Sequence, residues 1–369
     1  MKLSIERSAL LKSLGHMQSV VERRNTIPIL SNVLLEANAD RLSLTASDLD
    51  LWMLEEIEAS VQQEGGTTVP VQTLYDIVRK LPDGSQIELS GESDGRLRLH
   101  SGNSLFHLPC LDRSDFPVVP EGDFPHRFEI SASDLRHLFE KTKFAISTEE
   151  TRYYLTGVYL HAAEADGFLR AVATDGHRLA RADIKLPEGA KSIPGVIIPR
   201  KVVNEVSRLT EGLEGDLSVA LSDAKIRVDF SGGRLTSKLI DGTFPDYERV
   251  IPDANEKRAE VSASLFMAAI DRVSTVSTEK SRAVKVILEE NKAILSASSS
   301  DNASATDEVP VDYSSEKLEI GFNAKYLMDI LNEIDGETAI LLLNDAVSPT
   351  VVSDKEDNTS LYVLMPMRV

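Results

Sequence analysis

Four short patterns occur three times along this chain of 369 residues, in the same order and about a third of its length apart. The first is a short strand running into a helix start: LSIERSALLKSL from Leu3, FEISASDLRHLF from Phe128 and AEVSASLFMAAI from Ala259. The second is an apolar alternation closing on a small polar turn: NVLLEANADRLSLTASD, GVYLHAAEADGFLRAVATD and VKVILEENKAILSASSS. The third is strand, Pro or Asn, then helix: TVPVQTLYDIVRKL, VIIPRKVVNEVSRL and IGFNAKYLMDILNEI. The fourth is a closing strand: LFHLPCL, LTSKLID and LYVLMPM. Leu10, Leu135 and Leu265 lie 125 and 130 residues apart, and Pro70, Pro199 and Asn323 lie 129 and 124 apart. A solenoid unit is roughly 20–50 residues, whereas an independent domain is commonly roughly 100–150. The chain is therefore expected to be three copies of one domain, over residues 1–120, 127–251 and 257–369, each able to bury its own core.

Within a copy the pattern reads β-α-β-β-β twice. Strands alternate apolar and polar residues, as in Arg96-Leu97-Arg98-Leu99 and Lys225-Ile226-Arg227-Val228. Leu74, Ile77, Val78 and Leu81 repeat at helical spacing. Helices are predicted over 6–25, 71–81, 132–148, 199–209, 264–282 and 323–334. Two helices covering antiparallel sheets define an α+β class. Such a copy leaves edge strands, and pairing between copies end to end is one way to cover them. The connectors DRSDFPVVPEGDFPHR (112–127) and DGTFPDYERVIPDANEKR (241–258) both carry Phe-Pro, with Phe116 and Phe244 spaced 128 apart. Proline stiffens a link, which suits domains held at a set angle.

Net charge is −19, which taken whole argues against binding nucleic acid. The charge is unevenly placed, however. The six predicted helices carry a net +6, leaving −25 on strands and loops. Lys and Arg favour helices in general, but so does Glu, which is sparse in them here. The sharper reading is helices on one surface facing phosphate and acidic sheets on the other facing solvent.

The single cysteine, Cys110, allows no internal disulfide and no cysteine-built zinc site. Charges interrupt the apolar stretch of MKLSIERSALLKSL, unlike a signal peptide, and no run approaches the ~18 apolar residues of a membrane span. A cytoplasmic protein with no membrane contact is the simplest expectation. Asp175, His177 and Arg178 could be read as a catalytic cluster, and Asp48 with Asp50 as a metal site. Neither comes with a second motif such as a Walker A loop, GxSxG or HExxH. Asp-Gly-His reads better as a tight turn, and the seven histidines lack ligand spacing. No enzyme, metal or cofactor is expected.

RYYLTG (152–157), ATDGHRLA (173–180), IPRK (198–201), TSKLIDGTFPDYERV (236–250), GFNAKYL (321–327) and YVLMPMR (362–368) give the chain a specific likeness. It resembles, over its full length, the bacterial sliding clamps, the beta subunits of DNA polymerase III. That resemblance implies three tandem clamp domains with helices inside and antiparallel sheets outside. It implies a head-to-tail homodimer closing a ring of six domains around duplex DNA. It further implies a short-motif pocket for the polymerase III alpha subunit, the clamp loader, other polymerases and repair proteins. A peptide-binding scaffold that does not encircle DNA is the alternative.

The resemblance also carries residues. The pocket for a Gln-Leu-x-Leu-Phe-like peptide would use Leu155, Thr174, Gly176, His177, Arg178 and Leu179. Pro245, Arg249 and Val250 would add the connector side, and Val363, Met365, Pro366, Met367 and Arg368 the C-terminal side. Methionines adapt to varied apolar side chains, and arginines would orient the peptide. DNA contacts would come from Arg24, Arg152, Tyr153, Tyr154, Arg200, Lys201, Lys280 and Arg282. Glu149 and Glu150 just before Arg152 depart from the family and weaken that contact. At the ring interface Phe106 and Leu108 would meet Thr275 and Val276, with Thr275 smaller than the apolar residue familiar there.

Overall fold

Each of the six helices starts where a strand ends, and local chemistry marks the switch. They are α1 (Arg7–Val20), α2 (Val71–Lys80), α3 (Ala132–Lys143), α4 (Arg200–Leu209), α5 (Ala263–Ser274) and α6 (Ala324–Leu331). The carboxylate of Glu6 accepts from the Ala9 amide at 3.0 Å, Ser131 Oγ from the Asp134 amide at 3.0 Å and Asn323 Oδ1 from the Tyr326 amide at 3.2 Å. Each bond satisfies a donor that the first helical turn leaves open. The computed structural model describes residues 1–22, 26–92, 94–119, 122–277, 283–299 and 303–368.

Helices α1, α3 and α5 are shorter than their sequence pattern predicts. Helix α1 gives way at Val21, which is extended. In α3, Thr142 Oγ1 bonds the Leu138 carbonyl at 2.6 Å. At the end of α5, Ser274 and Thr275 both bond the Asp271 carbonyl, at 3.1 and 3.0 Å. Hydroxyls that take backbone carbonyls in this way compete with helix continuation. The shortening leaves the charge asymmetry intact, because the six observed helices still carry a net +6.

The chain forms two compact units. Unit 1 holds Met1–Leu135, Pro187–Pro194 and Asn204–Leu239, and unit 2 holds Arg136–Leu186, Gly195–Val203 and Ile240–Val369. In unit 1 a five-stranded sheet has the order Ser60–Gln63, Lys2–Glu6, Gln86–Gly91, Arg96–Ser101, Ser104–Pro109. Ser60–Gln63 is an extra strand that the repeat pattern does not announce. An eight-stranded sheet runs His126–Ser131, Asp216–Leu221, Lys225–Phe230, Gly233–Lys238, Leu51–Glu58, Arg41–Ser47, Asn32–Asn38, Gly65–Pro70. It passes from the second repeat to the first where Leu51–Glu58 pairs antiparallel with Gly233–Lys238, in the register Trp52↔Thr236.

Unit 2 is built on a twelve-stranded sheet. One half runs Val196–Pro199, Gly157–Ala163, Phe168–Thr174, Arg178–Lys185. The sheet continues through Ser360–Leu364, Thr350–Asp354, Thr338–Leu343 and Lys257–Ser262 to Ser304–Tyr313, Lys292–Ser298, Ala283–Glu289 and Leu318–Asn323. Second and third repeats meet where Arg178–Lys185 pairs with Ser360–Leu364, in the register Leu179↔Val363. Repeats are thus joined sheet edge to sheet edge, which covers backbone groups that separate domains would expose.

The helix anchors show one slip of register. Leu10 and Leu135 are buried, but Leu265 is 54% exposed and its neighbour Phe266 is buried in its place. Counting from the shared Ser-Ala-Ser (131–133 and 262–264) puts Phe266, not Leu265, opposite Leu135.

Candidate partner-peptide pocket

The tight turn after strand Phe168–Thr174 organises one end of the second junction. Thr174 Oγ1 accepts from the Gly176 amide at 3.1 Å and donates to the Arg178 carbonyl at 2.7 Å. Asp175 Oδ1 accepts from the amides of His177 and Arg178 at 2.9 and 3.0 Å. Gly176 has φ +89, a region that costs an L side chain about 1–2 kcal/mol. A Cβ there would also sit 2.6 Å from Arg152 Nη1. The next strand starts at Arg178, and Met365 closes the end by donating its amide to the His177 carbonyl at 2.9 Å.

Arg178 is a buried tie. Its Nε donates to Asp175 at 3.1 Å, Nη1 to Asp329 of α6 at 2.6 Å, and Nη2 to the Phe144 carbonyl at 2.8 Å. Its guanidinium also lies 4.3 Å from the Tyr326 ring centre and 5.2 Å from that of Phe144. Three of its five N–H donors are thus engaged within the chain, so Arg178 shapes the wall of the site.

Beside it lies a cavity of about 200 Å³, lined by Leu155, Thr174, Gly176, Arg178, Leu179, Pro245, Asp246, Tyr247, Val250, Val363 and Met365. Leu155, Leu179, Val363, Phe244 and Tyr247 form the packed layer under it, while Val250 and Met365 are 48% and 41% exposed at its mouth. Exposed aliphatic side chains around a buried apolar floor are what an apolar ligand needs.

The floor is rigid. Phe244 stacks on Tyr159 with centroids 4.8 Å apart, and Tyr159 stacks on His161 at 4.9 Å. His161 Nε2 lies 3.0 Å from the Tyr247 hydroxyl. Arg170 pairs with Asp183 through two bonds of 2.7 and 3.0 Å, both residues being buried. Burial opposes the Arg170 charge, but Asp183 and Tyr247 outweigh it and hold its pKa above the ordinary value. Burial pushes the His161 pKa down and that of Tyr247 up.

Nine of the predicted pocket residues therefore come together: Leu155, Thr174, Gly176, Arg178, Leu179, Pro245, Val250, Val363 and Met365. His177, Arg249, Pro366, Met367 and Arg368 do not line this cavity. His177 stacks loosely on Tyr326 with centroids 6.2 Å apart. Arg249 points to solvent and pairs with Asp246 at 2.6 Å, and the Met367 amide bonds the Gly321 carbonyl at 2.9 Å. Asp246 and Tyr247 were missed, although their motif, FPDYERV, carries them. An aromatic residue two places after the connector proline was the available signal.

The predicted DNA residues fare unequally. Arg24, Lys280 and Arg282 lie outside the described residues. Arg152 is held by Glu149 at 2.8 Å, the acidic neighbour that the sequence flagged. Tyr153 is 53% exposed, and Tyr154 packs against the pocket cluster. Arg200 Nη2 bonds the carbonyls of Ile146 and Ser147 at 2.7 and 2.9 Å, so its head group is tied to the segment that follows α3. Lys201 lies in the first turn of α4. Phe106 and Leu108 share a face of Ser104–Pro109, the outer strand of the five-stranded sheet. Leu108 is buried in this chain, while Phe106 is half-buried and Leu105 is 50% exposed. Thr275 is exposed and Val276 half-buried just past α5.

Three α+β repeats joined through their sheets, with an apolar pocket at one junction, define a clamp-type scaffold. Family models for the DNA polymerase III beta subunit match in sequence: N-terminal domain over residues 1–120, central domain over 129–246, C-terminal domain over 248–368. The chain belongs to the DNA polymerase III beta subunit family, and its repeats are three tandem clamp domains. It is 51% identical over 372 residues to the beta sliding clamp of Caulobacter vibrioides, and 36% identical over 371 residues to that of Escherichia coli K12, with 100% of both chains covered in each case. Its fold is similar to that of a sliding clamp from Bartonella birtlesii solved bound to griselimycin, with TM-score 0.97, 48% identity and 100% of both chains covered. A Caulobacter crescentus beta sliding clamp matches with TM-score 0.94 at 51% identity over 100% of both chains.

Proposed function

We propose that two copies of this chain close head to tail around duplex DNA and tether replication proteins to it, as a sliding clamp does. Full-length membership of the clamp family, together with the apolar pocket of unit 2, carries this reading. The protein is a processivity factor and not an enzyme. Helices with net +6 in a chain of −19 suit a bore that attracts the phosphate backbone without reading bases. Such contacts are weak enough to slide, and retention is topological.

A polymerase tied to a ring on its template rebinds before it diffuses away, because the tether raises its effective concentration. The tie is a short apolar motif seated over Leu155, Leu179, Val363 and Met365. Polymerase III alpha, the clamp loader and other polymerases and repair proteins would compete for it. The working domains are taken as 1–120, 127–251 and 257–369, in a cytoplasmic homodimer. DNA-facing roles are assigned to Arg24, Arg152, Tyr153, Tyr154, Arg200, Lys201, Lys280 and Arg282, of which Arg152 and Arg200 would have to share guanidiniums already bonded within the chain.

Two open edges support ring closure. Ser104–Pro109 is an outer strand in unit 1. In unit 2, residues 304–310 pair only with Lys292–Ser298 among the described strands. A heterologous contact of this kind either closes or grows into a filament. Phe106→Ala should shift dimer to monomer by about 1.5–3 kcal/mol, read as mass at low concentration. The functional test is retention on nicked circular DNA. Loss of retention when the circle is linearised is expected; equal retention on circle and linear DNA would contradict encirclement and leave a peptide scaffold.

A further inference from the structure

Unit 1 carries a second and larger cavity, on the eight-stranded sheet where Leu51–Glu58 pairs with Gly233–Lys238. It encloses about 700 Å³, within the usual range of ligand sites. Leu34, Trp52 and Leu54 line it from the sheet, and Phe116, Val118 and Phe124 from the connector. Val118 is 86% exposed, an aliphatic side chain held in water at the rim.

The polar lining is lopsided. Arg113, Arg227 and Arg234 line the cavity against one carboxylate, Glu36. Arg227 and Arg234 share Asp229, and Arg227 also lies 4.9 Å from the centre of the Phe124 ring. Arg113 forms no salt bridge among the described residues and is exposed. On a chain of net charge −19, an apolar groove lined by three arginines and one carboxylate, and edged by an exposed guanidinium that, among the described residues, has only the neighbouring Asp112 carboxylate acting on it and forms no salt bridge, favours a ligand that is both apolar and anionic.

We propose that this groove docks an extended acidic–apolar peptide segment of a protein partner, with aliphatic or aromatic side chains along Leu34, Trp52 and Leu54 and a carboxylate on Arg113. Nucleic acid fits less well, because Leu34, Leu54 and Val118 offer nothing to a phosphodiester and Glu36 repels it. The site is separate from the peptide pocket of unit 2 and does not depend on it.

Trp52 makes the test specific. It is the chain's single tryptophan, it is buried, and its Nε1–H has no acceptor among the described residues. Its emission therefore reports this groove and not the other pocket. The probes are acetyl-Asp-Leu-Phe-Asp-Leu-amide, the same peptide with Lys for Asp, and a short oligodeoxythymidylate, each titrated into the full chain. A saturable emission shift is expected for the acidic peptide, with Kd below about 1 mM. Arg113→Glu should weaken it about tenfold, and Val118→Asp should weaken it as well; both changes lie at exposed positions that carry no fold contact named above. No saturable shift with the acidic peptide would overturn the proposal. So would an equal response to the lysine peptide or the oligonucleotide, or a response that neither substitution alters.

Discussion

The two junctions between repeats share one backbone plan and fill it differently. At each, a residue at the end of the terminal strand bonds back to a turn carbonyl: Lys238, the last of Gly233–Lys238, to Asp50, and Met365, just past Ser360–Leu364, to His177, both at 2.9 Å. At each, a residue with positive φ makes the turn, Leu49 at +77 and Gly176 at +89. Aligned strand by strand, Tyr159, His161 and Arg170 in the second junction stand where the first has Leu34, Glu36 and Ser43. The aromatic stack and buried ion pair fill the space under the second connector, leaving a small apolar pocket at its end. Without them the first junction keeps an open groove and closes its end with the Lys238–Asp50 ion pair. A repeat thus fixes strand order, while the side chains at a few paired positions decide where a ligand can sit.

The buried pair should give the largest contrast. Arg170→Met leaves Asp183 in a buried site without its main partner and should lower stability by about 3–5 kcal/mol. Glu56→Gln, at the position matching Asp183, removes an exposed pair with Arg41 and should change stability by less than about 0.5 kcal/mol. Chemical denaturation of both variants measures the difference, and similar losses would break the comparison.

Next comes the turn. Gly176→Leu should destabilise by about 1–2 kcal/mol from backbone strain alone and displace Arg152 as well. Leu49→Gly, which relieves the same strain in the first junction, should be neutral or stabilising by thermal melting.

Protonation gives a smaller, signed effect. The His161 pKa is pushed below its ordinary 6.5 by burial, so the unfolded chain binds the proton more readily than the folded one. Stability from this group is present above about pH 6.5 and is lost as pH falls towards the folded value. His161→Gln should flatten that part of the stability curve, read as the wild-type-minus-variant difference across pH 5–7. Glu36 cannot supply a matching histidine step in the first junction.

Smallest of all, Lys238→Met replaces an exposed pair with the residue type found at Met365. It should shift the melting midpoint negligibly, corresponding to less than about 0.5 kcal/mol. A large loss would mean that the ion pair, not the strand pairing, holds the first junction together.

Much of this was legible in the sequence because repetition amplifies weak signals. Strand order within copies, apart from the extra strand Ser60–Gln63 in the first, six helices and paired connectors followed from the repeated patterns. Helix ends did not, since the hydroxyls of Thr142, Ser274 and Thr275 act through a geometry that a hydrophobic period does not encode. The pocket's apolar residues came from motif likeness. The role of Arg178 did not, because its partners Asp329 and Phe144 are distant in sequence and only the folded sheet brings them to it. The first-junction groove was also hidden: Trp52 reads as an ordinary strand residue until the aromatic filling of the other junction is seen to be missing beside it.

The most direct measurement is fluorescence anisotropy of a labelled Gln-Leu-x-Leu-Phe-type peptide, titrated with the full chain and with a chain ending at Leu364, while Trp52 emission is followed. Binding to the full chain that is lost on truncation, with Trp52 unmoved, is the predicted result and places the partner motif in the pocket closed by Met365. Binding that survives truncation, or that moves Trp52, would contradict it.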